Sequence, residues 1–207
     1  MSSEHGGFAQ TLEASWFKPV GLLSVLMLPL SLVFWLLSSL NRMLFKLGIK
    51  KRYRASVPVI VIGNITVGGN GKTPMAIYLA QLLAAHGQRV GIISRGYGSN
   101  PPHTPFLVSA HTSTVQGGDE PVLLAKRTGC PVVIGANRQA SIEYLMSEHH
   151  IDVVISDDGL QHYALARDVE LCIVDATRLH GNGLLLPAGP LREGKGRLSS
   201  VDLVVYN

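Results

Sequence analysis

Cysteine is almost missing from this sequence: there are two in 207 residues, Cys130 and Cys172, far apart and in no metal-type spacing. A disulfide framework is excluded, and the chain reads as reduced and cytosolic-facing, with both thiols as small core residues. Charge is also sparse. Charged residues make up 15% of the chain against 46% hydrophobic, which is apolar for a purely soluble domain. Internal repeats, low-complexity tracts and a guanine-reading "NKxD"-type sequence are all missing. The length suits one main domain with an appendage.

The surplus of apolar residues sits near the N-terminus. Residues 19–40, "PVGLLSVLMLPLSLVFWLLSSL", contain no charged side chain, and a run of about 18 or more such residues is long enough for a membrane helix. Gly21, Pro29 and the serines oppose insertion and allow a kinked or half-inserted helix, so spanning and interfacial insertion both stay open, as does a buried hairpin of a soluble core. The segment before Trp16 carries Glu4 and Glu13, and "SSLNRM" is a poor cleavage site, so the run reads as a retained anchor rather than a signal peptide.

The formal net charge is +4 with a pI near 9.2, yet the basicity is local. Arg42, Lys46, Lys50, Lys51, Arg52 and Arg54 form a collar directly after the apolar run. Such a collar suits an anionic leaflet and places everything after Arg42 in the cytoplasm. Nucleic-acid binding is disfavoured, because no aromatic stacking platform accompanies the cluster. The chain divides into residues 1–56, an apolar membrane helix with its collar, and residues 57–207.

After Pro58, short β-branched runs alternate with helical stretches. Strands are predicted at 59–62, 90–93, 132–134, 153–156, 171–174 and 203–205, and helices at 73–86, 121–127 and 138–149. This alternation predicts an α/β fold, a mostly parallel sheet flanked by helices. The terminal "SVDLVVYN" reads as a strand without a closing helix, which suggests a chain lacking its C-terminal portion.

Four stretches carry chemistry. In "VIVIGNITVGGNGKTP" a β-branched strand breaks at Gly63 and runs through Thr66, Val67, Gly68, Gly69, Asn70 and Gly71 to Lys72 and Thr73 at a helix start. Glycines there let backbone N–H groups turn toward phosphate oxygens and the helix dipole favours the same anion. Lys72 would reach the β- and γ-phosphates and the Thr73 hydroxyl would ligate magnesium, the features of a P-loop NTPase. The usual motif has glycine where this chain has Thr66.

In "DVVISDDGLQHY" an apolar strand ends in Asp157 and Asp158, where acidic residues close to magnesium sit in P-loop enzymes, with Gln161 and His162 following. An Asp-Asp-Gly turn is the plainer reading. In "QGGDEP" Asp119 and Glu120 precede Pro121 and suit a helix first turn as caps. The alternative is that Asp119 accepts the proton of an attacking hydroxyl. In "PAGPLREGKGRL" Arg192, Lys195 and Arg197, with Glu193 among them, either clamp an anionic substrate or form a solvated loop. Arg95 of "SRGYG" is in the same position.

"GNITVGGNGKTP", "SRGYG", "GDEPVLLA", "DDGLQHYALARDVE", "PAGPLRE" and "VDLVVYN", in this order behind an N-terminal apolar helix, closely resemble the tetraacyldisaccharide 4'-kinase family of Gram-negative bacteria. The family's loop begins T-x-G-G, which accounts for Thr66. The resemblance implies ATP and Mg2+ as cofactors, and transfer of the γ-phosphate to the 4'-hydroxyl of tetraacyldisaccharide 1-phosphate to form lipid IVA. It implies an inner-membrane location with the catalytic domain on the cytoplasmic side, and no protein partner is inferred. By position it makes Asp119 the base and Lys72 and Thr73 the phosphate and magnesium residues. Asp157 and Asp158 become the metal-side pair, and Gln161, His162, Arg192 and Glu193 the substrate side. A membrane-associated switch ATPase and an inactive kinase fragment are the alternatives.

Overall fold

The structure is a computed structural model that describes residues 4–68 and 71–207; Gly69 and Asn70 of the predicted loop lie outside the described residues. Two helices come first, α1 (Glu4–Ser15) and α2 (Leu22–Lys46). Seven strands and four helices follow: β1 (Val59–Gly63), α3 (Lys72–Ala85), β2 (Val90–Ser94), β3 (Phe106–Val108), α4 (Thr114–Gly117), α5 (Asp119–Thr128), β4 (Val132–Ile134), α6 (Arg138–Glu148), β5 (Val153–Ser156), β6 (Val169–Val174) and β7 (Leu203–Tyr206). A single 3-10 turn, Lys195–Ser200, precedes β7.

The strands form one sheet in the order β3-β4-β2-β5-β1-β6-β7. All neighbours are parallel except β3, which runs antiparallel to β4 at the edge. The six predicted strands are present. Strand β3 escaped the sequence reading because three residues in a Pro- and His-rich stretch make too short a pattern to register.

Continuous Val and Ile runs build the central strands because both faces of a parallel sheet are covered. In β1, Ile60 and Ile62 face one way and pack with Ala76 and Ala80 of α3 and with Val122 and Leu124 of α5. Val59 and Val61 face the other way, against Leu160, Leu165 and, beyond them, Ile142 and Leu145 of α6. Each fully buried Ile or Leu side chain contributes about 1.5–3 kcal/mol. This double-sided core fixes the register, Val61 opposite Ser156 and Gly63 opposite Cys172.

Parallel pairing has a functional consequence. The residues after β1, β2, β4 and β5 all emerge at the carboxyl edge of the sheet, where open α/β folds place ligands. Connections from β1 lead one way to β2 and those from β5 lead the other way to β6, so a crevice opens at the β1/β5 boundary.

Helix α2 departs from an ordinary core helix. It is 25 residues long and Pro29 lies inside it. Only 11% of its most apolar window is buried, so among the described residues it is not the buried hairpin of a soluble core.

Candidate active site

Strand β1 ends at Gly63 because nothing larger fits: a Cβ there would lie 2.5 Å from Leu160 Cβ. The chain then pairs with a distant segment. Arg192 N donates to Ile65 O at 2.7 Å and Val67 N donates to Pro190 O at 2.8 Å, with Thr66 bridged antiparallel to Leu191. The first and fourth sequence motifs thus form one wall, and Thr66 stands in that ladder.

Gly71 precedes α3 in the left-handed region, φ 80°, and supplies no side-chain cap. The first N–H groups of α3 are therefore left for an anion. A Cβ at Gly71 would also come 2.5 Å from Asn207 Nδ2. Lys72 and Thr73 are buried at the helix start. Lys72 Nζ donates to Gly68 O at 3.4 Å and lies 3.6 Å from Asp158 Oδ1.

The adjacent carboxylates have divergent surroundings. Asp158 has φ 49°, an uncommon backbone for a residue with a Cβ, worth about 1 kcal/mol of strain and often tied to function. Besides Lys72, it meets Arg192 Nη1 at 3.2 Å. Asp157 is 1% exposed, and neither of its carboxylate oxygens has a hydrogen-bond partner among the described residues. Burial, then the negative charges of Glu120 and Asp158, push its pKa up to about 7, against the pull of Lys72 and Arg138.

Arg138, at the start of α6, was not singled out from the sequence. It is 3% exposed and donates to Gly135 O at 2.9 Å and Asp157 O at 3.3 Å. Burial lowers its pKa to about 10. Lys72, Arg192 and Arg138 are the cations that let two neighbouring carboxylates coexist.

An unsatisfied, buried carboxylate that feels the charge of Lys72 has the hard oxygen chemistry that suits a divalent cation. No group of three or more His, Cys, Asp or Glu among the described residues forms a complete metal cage.

Behind the wall formed by the first and fourth motifs lies a largely buried polar network. Gln161 Nε2 donates to Asn64 O at 2.9 Å and to Glu193 Oε2 at 3.1 Å, and Tyr163 OH donates to Glu193 Oε1. Burial and the Glu193 charge hold the Tyr163 pKa above its ordinary range. Arg197 reaches Glu193 at 3.6 Å and Glu170 at 2.5 Å, and Arg167 reaches Glu170 at 2.9 Å. Arg197 therefore does not clamp a ligand, because two carboxylates already hold it and its side chain is 4% exposed. Lys195 is exposed. His162 is half-buried, which lowers its pKa.

Asp119 and Glu120 are exposed in the first turn of α5. The helix N-cap is Gly118, without a side-chain cap bond, so neither acid caps α5 from the N-cap position. The charge of Glu120 is felt at Asp157, which turns the N-terminus of α5 toward the acidic pair. Arg138, Tyr163, Arg167 and Glu170 were missed by the sequence reading; the run "DDGLQHYALARDVE" contained three of them, but no local pattern marks an ion-pair partner.

Asp157 carries a pH prediction. Its pKa is raised on folding, so the native state binds its proton more tightly than the unfolded chain does. Its stabilising contribution is complete below about pH 4 and is lost as pH rises toward about 7. In nucleotide- and metal-free protein, Asp157→Asn should flatten that decline, by a few kcal/mol at most, in urea unfolding at pH 5 and pH 8. Parallel pH profiles for the two proteins would show that Asp157 is ionised throughout.

Comparison with known proteins gives a consistent picture. The sequence model of the family described as tetraacyldisaccharide-1-P 4'-kinase matches residues 23–207. A "Tetraacyldisaccharide 4'-kinase" of Pseudoalteromonas translucida is 54% identical over 196 residues, covering 95% of this chain and 60% of the relative. One of Haemophilus influenzae is 57% identical over 182 residues, covering 88% of this chain and 55% of the relative. Among solved structures, LpxK from Aquifex aeolicus in complex with ATP superposes with a TM-score of 0.82 at 34% identity, covering 90% of this chain and 59% of that one. The chain thus spans about three fifths of the length of these relatives.

Proposed function

Because the chain belongs to the tetraacyldisaccharide-1-P 4'-kinase family, we propose that it transfers the γ-phosphoryl group of ATP to the 4'-hydroxyl of tetraacyldisaccharide 1-phosphate, forming lipid IVA. The observation that carries this reading is the position of Lys72. Its ammonium is buried at the N-terminus of α3, between the Gly68 carbonyl and Asp158, and Arg192 meets the same carboxylate oxygen. Phosphate and acceptor sides therefore meet at one carboxylate.

In this mechanism the N–H groups at the start of α3 and Lys72 bind the β- and γ-phosphates of ATP. Thr73 and Asp157, with Asp158 at the edge of the pair, would hold Mg2+, which supplies charge neutralisation along the triphosphate when bound. Arg192, Gln161 and Glu193, with His162 beside them, orient the sugar headgroup. Asp119 accepts the proton of the 4'-hydroxyl as its oxygen forms the bond to phosphorus and the bond to the β-phosphate oxygen breaks, releasing ADP. Positioning and charge stabilisation supply most of the acceleration.

The lipid substrate gives α2 a role: it attaches the domain to the cytoplasmic face of the inner membrane, while the chemistry reaches only the headgroup. A switch ATPase is the second reading; it would hydrolyse nucleotide without lipid. The paired wall of residues 65–67 and 190–192, which carries Arg192 and Glu193 into the crevice, favours an acceptor other than water.

The test is incubation of the protein in detergent with γ-labelled ATP, magnesium and tetraacyldisaccharide 1-phosphate, with Lys72→Ala alongside. Labelled lipid formed by the parent chain and lost in the variant is the expected result. Nucleotide hydrolysis without lipid labelling, both in this chain and in one extended to the relatives' full length, would favour the switch ATPase.

A further inference from the structure

Helix α2 is fastened to the catalytic domain at both of its ends, and we infer that it lies flat in one leaflet of an anionic bilayer instead of crossing it. This extends the membrane attachment proposed above and does not depend on the phosphoryl-transfer reading. Trp16, just before the helix, is buried; its Nε1 donates to Pro187 O at 2.9 Å, and its carbonyl accepts from Asn182 N at 2.7 Å. Ser24 Oγ accepts from Asn182 Nδ2 at 3.3 Å. Ser31 Oγ donates to Leu185 O and accepts from Ala188 N, both at 3.0 Å. At the other end, the Phe45 ring meets Tyr163 at 6.3 Å, the same tyrosine that donates to Glu193.

Ser24, Met27, Ser31, Phe34, Ser38, Asn41 and Phe45 are the buried or half-buried positions of this stripe. Their steps of three and four place them on one face of a helix. This face, which carries the serines, is turned to the domain.

Length then decides between the two orientations. Ser24 to Phe45 covers about 30 Å at 1.5 Å per residue, close to the full hydrocarbon thickness of about 30 Å. If α2 crossed the bilayer with both contacts intact, the segment packed between them, residues 182–193 with Tyr163, would cross with it. That segment carries Arg192 and Glu193 on irregular backbone, which hydrocarbon does not accept. Helix and domain must therefore share one side of the membrane.

The outward face names its own partner. Leu22, Leu26, Val33, Leu36, Leu37 and Leu40 are between 49% and 76% exposed. Exposed Lys18 flanks them at one end, and Lys46, Lys50, Lys51, Arg52 and Arg54 at the other. An apolar face bordered by cations at headgroup level fits an anionic leaflet, with insertion of about 5–10 Å.

Trp35 reports the orientation directly. It is 47% exposed and stands next to the midpoint of Leu22–Lys46, so a spanning helix would hold it near the bilayer centre and a flat one near the headgroups. The 207-residue chain is mixed with vesicles of phosphatidylethanolamine and phosphatidylglycerol whose acyl chains carry bromine either close to the headgroup or near the chain end. The Trp35→Phe variant supplies the background from buried Trp16. Flotation with the vesicles and at least twofold stronger Trp35 quenching by the shallow bromines are expected. Stronger quenching by the deep bromines overturns the inference in favour of spanning, and failure to float at low salt overturns it in favour of a protein or a second copy on this face. Lys51→Gln with Arg52→Gln should weaken vesicle binding about 10- to 30-fold. A disulfide between Ser31→Cys and Ala188→Cys should leave flotation unchanged; flotation lost on oxidation and regained on reduction would mean that α2 has to leave the domain to insert.

Discussion

Lys72→Ala is expected to lower lipid phosphorylation at least a hundredfold while the protein stays folded. Lys72 is 8% exposed, so its charge acts in a site where water screens little and a preorganised donor is worth about 3–4 kcal/mol in the transition state. The negative charge that grows on the phosphoryl oxygens is the charge it faces. The loss should fall mainly on kcat, because in the proposed mechanism Arg192 and Gln161 hold the headgroup without this ammonium. Folding should survive, since Asp158 keeps its contact with Arg192 at 3.2 Å after the lysine is gone. Single-turnover kinetics together with thermal unfolding separate the two quantities. Turnover near that of the parent in a cleanly folded variant would refute the role.

Arg197→Ala is expected to cost about 3–5 kcal/mol of stability, the size seen when one partner leaves a buried ion pair and strands the other. Arg197 lies between Glu170 at 2.5 Å and Glu193 at 3.6 Å, with side-chain exposures of 4%, 13% and 9% for the three residues. Glu170 would keep Arg167 at 2.9 Å, whereas Glu193 would keep only the neutral donors Tyr163 and Gln161. The damage should therefore reach the proposed substrate wall through Glu193. Urea unfolding gives the stability loss, and neutralising the stranded carboxylate as well, in Arg197→Leu with Glu193→Gln, should recover part of it, because the uncompensated buried charge is then gone. A loss under about 1 kcal/mol would place the network among solvent-screened surface bridges.

The parts of the site that the sequence revealed are those built from consecutive residues. A phosphate loop needs glycines at backbone positions and a lysine at a helix start, so Gly68, Gly71, Lys72 and Thr73 announced themselves by spacing. The acidic pair was legible for a similar reason, since a buried strand that ends in two aspartates is unusual. Their division was not. That the Asp157 carboxylate is sealed without a hydrogen-bond partner among the described residues while Asp158 meets Lys72 and Arg192 depends on the left-handed turn at Asp158 and on cations from three other elements. Arg197 shows the converse: its position in a Gly-rich basic loop suggested a ligand clamp, and its carboxylate partners, brought in from β6 and the Glu193 turn, made it structural.

The sequence by itself determined six of the seven strands, the three longer helices between them, the glycine-rich loop ahead of α3, the family, and the presence of one long apolar helix. All of these rest on short-range patterns: β-branched runs favour strands, glycines permit the loop, and the spacing of apolar residues sets which faces are buried. The tertiary structure alone decided which distant segments meet. Thr66 lies against Leu191, Tyr163 joins Phe45 to Glu193, and the serines of α2 lie against residues 182–188. Such pairings depend on the whole core closing in one register, a cooperative outcome that no local window of residues encodes.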